Sequence, residues 1–182
     1  GLGTAYIAGF KWALAHHYEY IFEMDADFSH NPQDLPRLYK ACAEEGGDVA
    51  IGSRYVSGVN VVNWPMGRVL MSYFASKYVR FITGIPVHDT TAGFKCYRRC
   101  VLQTIDLDNI RFKGYAFQIE MKFTAYKCGF KIIEVPVIFI NRELGTSKMN
   151  GSIFGEAVFG VIKLKLNSWF HKYPQKVGNN KP

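Results

Sequence analysis

The stretch YIFEMDAD, residues 20–27, joins a short apolar run to two carboxylates separated by one alanine. Residues 20–24 read as a buried strand, and Asp25 and Asp27 stand where the chain would leave the sheet. Like charges repel there, and aspartate is a poor strand former. Two hard oxygen donors offered from one side, with positions left open for water and phosphate oxygens, suit Mg²⁺ or Mn²⁺. The competing reading is a turn in which Asp27, Ser29 or Asn31 caps the following segment.

Working outward, Tyr6, Ile7, Phe10 and Leu14 recur at helical spacing, which predicts an amphipathic helix over 3–17. NPQDLPRLYKACAEEGG (31–47) has a capping start and a Gly-Gly stop, predicting a helix from about 33 to 45. DVAIGSR (48–54) reads as a second buried strand. Strands alternating with helices predict an α/β fold, a mostly parallel sheet with helices on both faces. Ligands bind such sheets beyond the carboxyl ends of the strands. Both MDAD and GSRY fall at those ends.

Further along, 67–83 reads as a helix, GIPVHDTTAGFKCYRR (84–99) as a loop and 115–128 as a helix. KIIEVPVIFIN (131–141) reads as a strand that Pro136 demotes towards an edge. Between 152 and 170, Phe154, Val158, Ile162, Leu166 and Phe170 repeat every fourth position, with Ile153, Ala157, Val161 and Trp169 widening the stripe. Such a helix either packs on the domain or lies in a membrane interface, with Lys163 and Lys165 near anionic head groups. The polar tail from Lys172 is expected to be disordered. The organisation expected is a catalytic domain over 1–150, an amphipathic helix over 151–171 and a tail over 172–182. No internal repeat or low-complexity segment is visible.

The chain has 182 residues, 48% hydrophobic and 15% aromatic, enough for one sizeable core and unlike a disordered composition. Its formal charge of +7 calls for an anionic partner: a phosphate-bearing substrate, an acidic membrane face or nucleic acid. Composition alone does not choose among them. Cys42, Cys96, Cys100 and Cys128 lack zinc or redox spacing and read as reduced thiols, which fits a cytosolic setting. No signal peptide is evident, and no run of about 18 apolar residues predicts a transmembrane helix.

Arg54 follows the VAIGS strand, Arg68 opens the helix after Trp64-Pro65, and Ser72 lies one turn beyond it on the same face. Arg142 and Lys148 lie in NRELGTSK (141–148). Scattered arginines are usually solvated surface, yet strand ends and helix starts favour phosphate binding. HDTTAGFK (88–95), with Asp89 and Thr91, is either an ordinary turn or a substrate loop. Gln118 and Glu120 sit among apolar residues on a helix, and a buried carboxylate is costly without a partner, so Glu120 is expected to face the site or a cation. His16, His17 and His30 have no metal-ligand spacing.

GLGTAYIAGF, MDADFSHNP, GSRYVSG, NWPMGRVLMSYFAS, DTTAGFKCYRR, GYAFQIEM and INRELGTSKM stand in this order over nearly the whole chain, to about residue 170. As a set they resemble the inverting glycosyltransferase family 2, and within it the polyprenol-phosphate (dolichol-phosphate) mannosyltransferases. The resemblance implies a GT-A fold, a nucleotide-sugar donor that is usually GDP-mannose, a polyprenyl phosphate acceptor and a divalent metal. It implies that Asp25 and Asp27 hold the metal and the donor diphosphate, with the backbone of Ala26 lining the donor site. Arg142 and Lys148 would grip the donor phosphates, Arg142 with a catalytic part. Arg54, Arg68 and Ser72 would meet the lipid phosphate, Arg54 also touching the donor side. Asp89, Thr91, Gln118 and Glu120 are candidates for the substrate loop.

Some relatives carry a glutamine metal ligand where this chain has Ser29. The family's first strands, which hold the nucleotide's base and ribose, fall before residue 1, so a front truncation is expected. A lipid acceptor implies a peripheral enzyme on the cytoplasmic face of a membrane. The rivals are a family 2 transferase with another sugar or acceptor, such as a polyprenol-phosphate glucosyltransferase, and a non-catalytic basic phosphate-binding module. The Q-x-x-R-W motif of the polysaccharide synthases is missing, which favours the lipid-phosphate branch. Paired aspartates would repel a nucleic-acid backbone, so no nucleic-acid partner is expected.

Overall fold

The computed structural model describes residues 1–114, 116–141 and 151–176, with side chains from 158 onward in the last stretch. Helix α1 (Leu2–Ala15) leads into strand β1 (Tyr20–Glu23), and a short 3₁₀ turn at Pro32–Asp34 starts α2 (Leu35–Ala43). Asn31 caps that turn, its side chain accepting from the Gln33 N–H. Strand β2 (Val49–Ser53) and the two-residue β3 (Val61–Val62) precede the long helix α3 (Met66–Thr83). Gly84 closes α3 in the left-handed conformation (φ 76°), a backbone state open to glycine at little cost. Then follow β4 (Lys95–Arg98), α4 (Arg99–Thr104), α5 (Ala116–Lys127), β5 (Ile132–Pro136), β6 (Phe139–Ile140) and α6 (Gly151–Phe170).

The main sheet has the order β1-β4-β2-β5. β2 and β5 are parallel, while β4 runs antiparallel to both β1 and β2. Three of the four strands therefore share one direction around a central reversed strand. Pro136 does lie on an edge strand, as expected of a residue without a donor. β3 and β6 form a separate two-stranded parallel ribbon.

Strand alternation sorts the core into two layers. Val49 and Ile51 of β2 face Phe10, Ala13, Phe117 and Met121 of α1 and α5, whereas Ala50 faces Leu38, Ala41 and Cys42 of α2. Helices thus cover both faces, and each fully buried valine or isoleucine stabilises the fold by about 1.5–3 kcal/mol. A third cluster joins Val79 of α3, Ile119 and Phe123 of α5, and Val161 and Leu164 of α6. Gly160 lets α6 close onto Phe112, since a Cβ there would lie 2.7 Å from the ring.

Two expectations change. Residues 95–99, read as loop, form β4 and the first residue of α4. The stretch from Lys172, expected to be disordered, is packed as far as Lys176: the Tyr173 ring meets Phe123, and the Lys176 ammonium pairs with the buried Asp48 at 2.7 Å. The described thiols of all four cysteines are free.

Candidate active site

The acidic pair stands at the carboxyl end of β1, as its sequence position requires. Asp27 is fixed by its own turn: its Oδ1 accepts the Ser29 N–H at 3.1 Å and the Ser29 hydroxyl. Phe28, between them, adopts a left-handed backbone (φ 60°), a state that is uncommon and strained for a bulky residue. Asp25 is held more loosely. Its side chain is 41% exposed, His30 Nε2 lies 3.9 Å from Oδ2, and the Tyr6 hydroxyl donates to Oδ1 at 3.5 Å. Burial first, then the Glu23 and Asp25 carboxylates, push the Tyr6 phenol well up, so it stays a proton donor. Ala26 is exposed between the two acids.

The β3–β6 ribbon ties this loop to the rest of the rim, because the Ile140 N–H donates to the Ser29 carbonyl at 3.1 Å. Asn141, just beyond, accepts from Arg68 Nη1 at 2.9 Å, and the Arg68 guanidinium lies 3.9 Å from the centre of the Trp64 ring. Ser72, one turn further along α3, stands beside the Tyr55 hydroxyl. The expected cluster of Arg54, Arg68 and Ser72 is thus assembled around Tyr55 and Trp64, on the same rim as the aspartates.

Arg54 differs in kind from the free cation expected. Its side chain is 9% exposed, and its Nε and one amino group donate to Asp89 Oδ2 and Oδ1 at 2.6 Å each. The same amino group reaches the Thr91 hydroxyl at 2.8 Å, and the Arg54 N–H donates to Asp89 as well. Although burial pushes the Asp89 carboxyl up, the Arg54 charge and hydrogen bonds hold it below the usual range. Arg54 is therefore a strut between the end of β2 and the 88–91 loop. That loop is pinned from the far side by Glu134, which accepts the His88 and Asp89 N–H groups at 2.7 and 2.9 Å.

Beneath the acidic pair lies a buried ionic layer. Glu23 of β1 faces Lys95 of β4 across the strand register, and their charges meet at 2.9 Å. Gln118 bridges the two, donating to Glu23 and accepting from Lys95. Lys122, one turn along α5, donates to the Thr90, Ala92 and Gln118 carbonyls at 3.0, 2.6 and 3.3 Å. Burial pushes both ammonium groups below the usual lysine range. Gln118 is thus a wall of this layer rather than a substrate-loop residue.

Glu120 lies two positions on, about 200° around the helix, and points away from the rim. Its Oε2 accepts the Arg111 and Phe112 N–H groups at 2.9 Å each. The partner expected for it is backbone. Arg142 and Lys148 lie outside the described residues.

Sequence reasoning missed His30, Glu134 and Lys122. For His30 the only signal was its place three residues after Asp27. For Lys122 it was a charge set among the apolar residues Ile119, Met121 and Phe123 of α5.

A sequence model of glycosyl transferase family 2 matches residues 1–106. The chain belongs to that family. The polyprenol monophosphomannose synthase of Mycolicibacterium smegmatis is 52% identical over 163 residues, covering 90% of this chain and 61% of the relative. The undecaprenyl-phosphate mannosyltransferase of Micrococcus luteus is 50% identical over 163 residues, covering 90% of this chain and 66% of the relative. The chain spans less than two thirds of either relative's length. Among solved structures, glucosyl-3-phosphoglycerate synthase from Mycobacterium tuberculosis, in complex with phosphoglyceric acid, superposes with a TM-score of 0.58. It shares 16% identity, with 92% of this chain and 54% of that one covered. That likeness shows the glycosyltransferase fold alone.

Proposed function

We propose that the protein moves a mannosyl residue from GDP-mannose to a polyprenyl phosphate with inversion at the anomeric carbon. The observation that supports this is an acidic pair, Asp25 and Asp27, on the same rim of a family 2 fold as the Arg68 guanidinium and the Ser72 hydroxyl, with the Arg54–Asp89 pair beneath. The two relatives, a polyprenol monophosphomannose synthase and an undecaprenyl-phosphate mannosyltransferase, support both the sugar and the lipid class.

The chemistry follows from charge. A phosphate monoester has a second pKa of about 6, so the acceptor oxygen is already ionised near neutral pH and needs no general base. The obstacle is repulsion: two unit negative charges 4 Å apart cost about 4 kcal/mol at an effective dielectric near 20. Arg68, stacked on Trp64 and aimed at the ribbon, would hold the acceptor phosphate, with Arg54 fixing the floor beneath it. Arg142 and Lys148 would take the donor phosphates.

Family 2 enzymes commonly use a divalent metal, and the residues here fit one. Among the described residues no group of three or more His, Cys, Asp or Glu is placed to hold an ion. Two carboxylates are, however, the donor set of a hard cation whose remaining positions go to diphosphate oxygens and water. Asp25 keeps accessible oxygen lone pairs for it, its neighbours being 3.5 and 3.9 Å away. Bound between Asp25 and Asp27, Mg²⁺ or Mn²⁺ would stabilise the departing nucleoside diphosphate as a Lewis acid.

The same reading includes a membrane surface. Among the described residues no helix is long and apolar enough to cross a membrane. Neighbouring α3 and α6 nevertheless expose Met66, Leu70, Phe74 and Phe81, and Phe159, Leu166, Trp169 and Phe170. Ile162, Leu166 and Phe170 of the sequence stripe point outward; the packing face is Val161, Leu164 and Ser168. Lys163 is exposed beside that stripe, but Lys165 turns inward to the Thr83 carbonyl at 3.2 Å. An apolar face this broad, with a net charge of +7, supports docking on an anionic cytoplasmic leaflet.

The test uses the full-length protein with short polyprenyl phosphates, offering radiolabelled GDP-mannose or UDP-glucose with and without chelator. Label passing from GDP-mannose into organic solvent, and abolished by chelation, supports the proposal. Label passing only from UDP-glucose, or no lipid product, refutes it.

A further inference from the structure

His30 is buried, and neither ring nitrogen has a hydrogen-bond partner. The ring is wedged between Phe94 and Phe139, with centroids 4.9 and 5.0 Å away. Both nitrogens are sealed from solvent, so a substrate cannot reach them directly. The polar group that Nε2 faces is Asp25 Oδ2, at 3.9 Å, about 1 Å beyond an ordinary hydrogen bond. On the other side of the same carboxylate, the Tyr6 hydroxyl meets Oδ1 at 3.5 Å, also long.

A buried donor without a partner is unusual in a folded protein and calls for a physical reason. Here the reason is slack. Asp25 sits between two donors, one at the limit of hydrogen-bond reach and one beyond it, so a small rotation shortens either contact. Burial pushes the imidazole below the usual histidine range, against the pull of the Asp25 carboxylate.

We propose that His30 is a positioning residue for Asp25, donating its Nε2–H to Oδ2 when the carboxylate takes up a divalent cation, and so fixing which oxygen faces the ion. Loss of a group that orients a metal-binding ligand commonly costs about 10- to 100-fold in metal affinity. The Phe94 and Phe139 rings flank the imidazole, and the ionic contact it makes among the described residues is with Asp25. This inference rests on the reading that Asp25 and Asp27 hold the metal.

The test is a calorimetric titration of Mn²⁺ into the full-length protein with GDP present, comparing the parent with His30→Phe and His30→Gln, alongside thermal melts. His30→Phe is expected to weaken Mn²⁺ binding about 10- to 100-fold. Its Tm should match or exceed the parent's, because the N–H removed had no partner to lose. His30→Gln, which keeps an N–H donor, should recover part of the affinity. His30→Leu provides the same comparison should the phenylalanine variant not fold.

Unchanged Mn²⁺ affinity in the apolar variant overturns the inference while leaving the metal reading intact, above all if the Tm falls instead. A parent protein that takes up no Mn²⁺ overturns both.

Discussion

Replacing Asp89 by asparagine keeps the side chain's volume and removes its charge. Asp89 is fully buried and Arg54 is 9% exposed at the side chain, so the substitution strands a guanidinium away from water. Removing one partner of a buried ion pair destabilises by about 3–5 kcal/mol. For a chain of this size each kcal/mol lowers Tm by about 2–4 °C, giving an expected fall of about 6–20 °C at pH 7. Arg54→Lys should lose less, since one ammonium replaces a fork that spans both oxygens at 2.6 Å. Arg54→Met combined with Asp89→Leu should recover much of the loss, because no charge is then left alone.

The pH dependence has a definite sign. Asp89 is held below its usual range, so its contribution is complete above the unfolded-chain value near 3.9. It is lost as pH falls below that, through the folded value. Melts followed by circular dichroism between pH 3 and 8 read all of this. A Tm for Asp89→Asn within about 1 °C of the parent at pH 7 would refute the strut and return Arg54 to the pool of free phosphate-binding cations.

Three more outcomes are expected. Asp25→Asn and Asp27→Asn should each lower mannosyl transfer by at least about 100-fold, since a metal contributes several kcal/mol and each 1.36 kcal/mol is tenfold; near-parent turnover would count against them as ligands. Arg68→Ala should raise KM for the lipid phosphate about 10- to 100-fold, the loss of a charge-assisted hydrogen bond of about 1.5–3 kcal/mol, with little change in KM for the donor; equal damage to both would undo the division of labour. Trp169→Ser with Phe170→Ser should leave Tm nearly unchanged and abolish co-sedimentation with anionic vesicles, whereas Leu164→Ala on the packed face should cost about 2–5 kcal/mol of stability.

How much of this was written in the chain depends on how local each signal is. β1 with its aspartates, α2 with its Asn31 start and β2 ending in Arg54 were legible, because hydrophobic period and turn residues act over a few positions. β4 was not. Its four residues include Lys95 and Arg98, and a strand carrying two cations looks like a loop until Glu23 is known to lie opposite Lys95 in the register. A carboxylate inside YIFE was the clue, since a buried charge demands a counter-ion somewhere. The site divided in the same way. Asp25 and Asp27 follow the end of β1, and Arg68 and Ser72 lie on α3 beside Trp64 and Tyr55. The inward turn of Arg54 depends on Asp89, and the placing of Glu120 depends on the 111–112 backbone; both are long-range pairings that no local pattern encodes.

The reversed central strand also bears on how the chain is made. β1 and β2 do not pair with each other; both wait for β4, which the ribosome supplies well after β2. At about 5–20 residues per second, the apolar segments YIFE and VAIGS spend on the order of seconds with open edges. Anything that shields nascent chains should therefore be most needed by this protein before Arg98 emerges, and a ribosome stalled ahead of that point would hold two sticky strands with nothing between them.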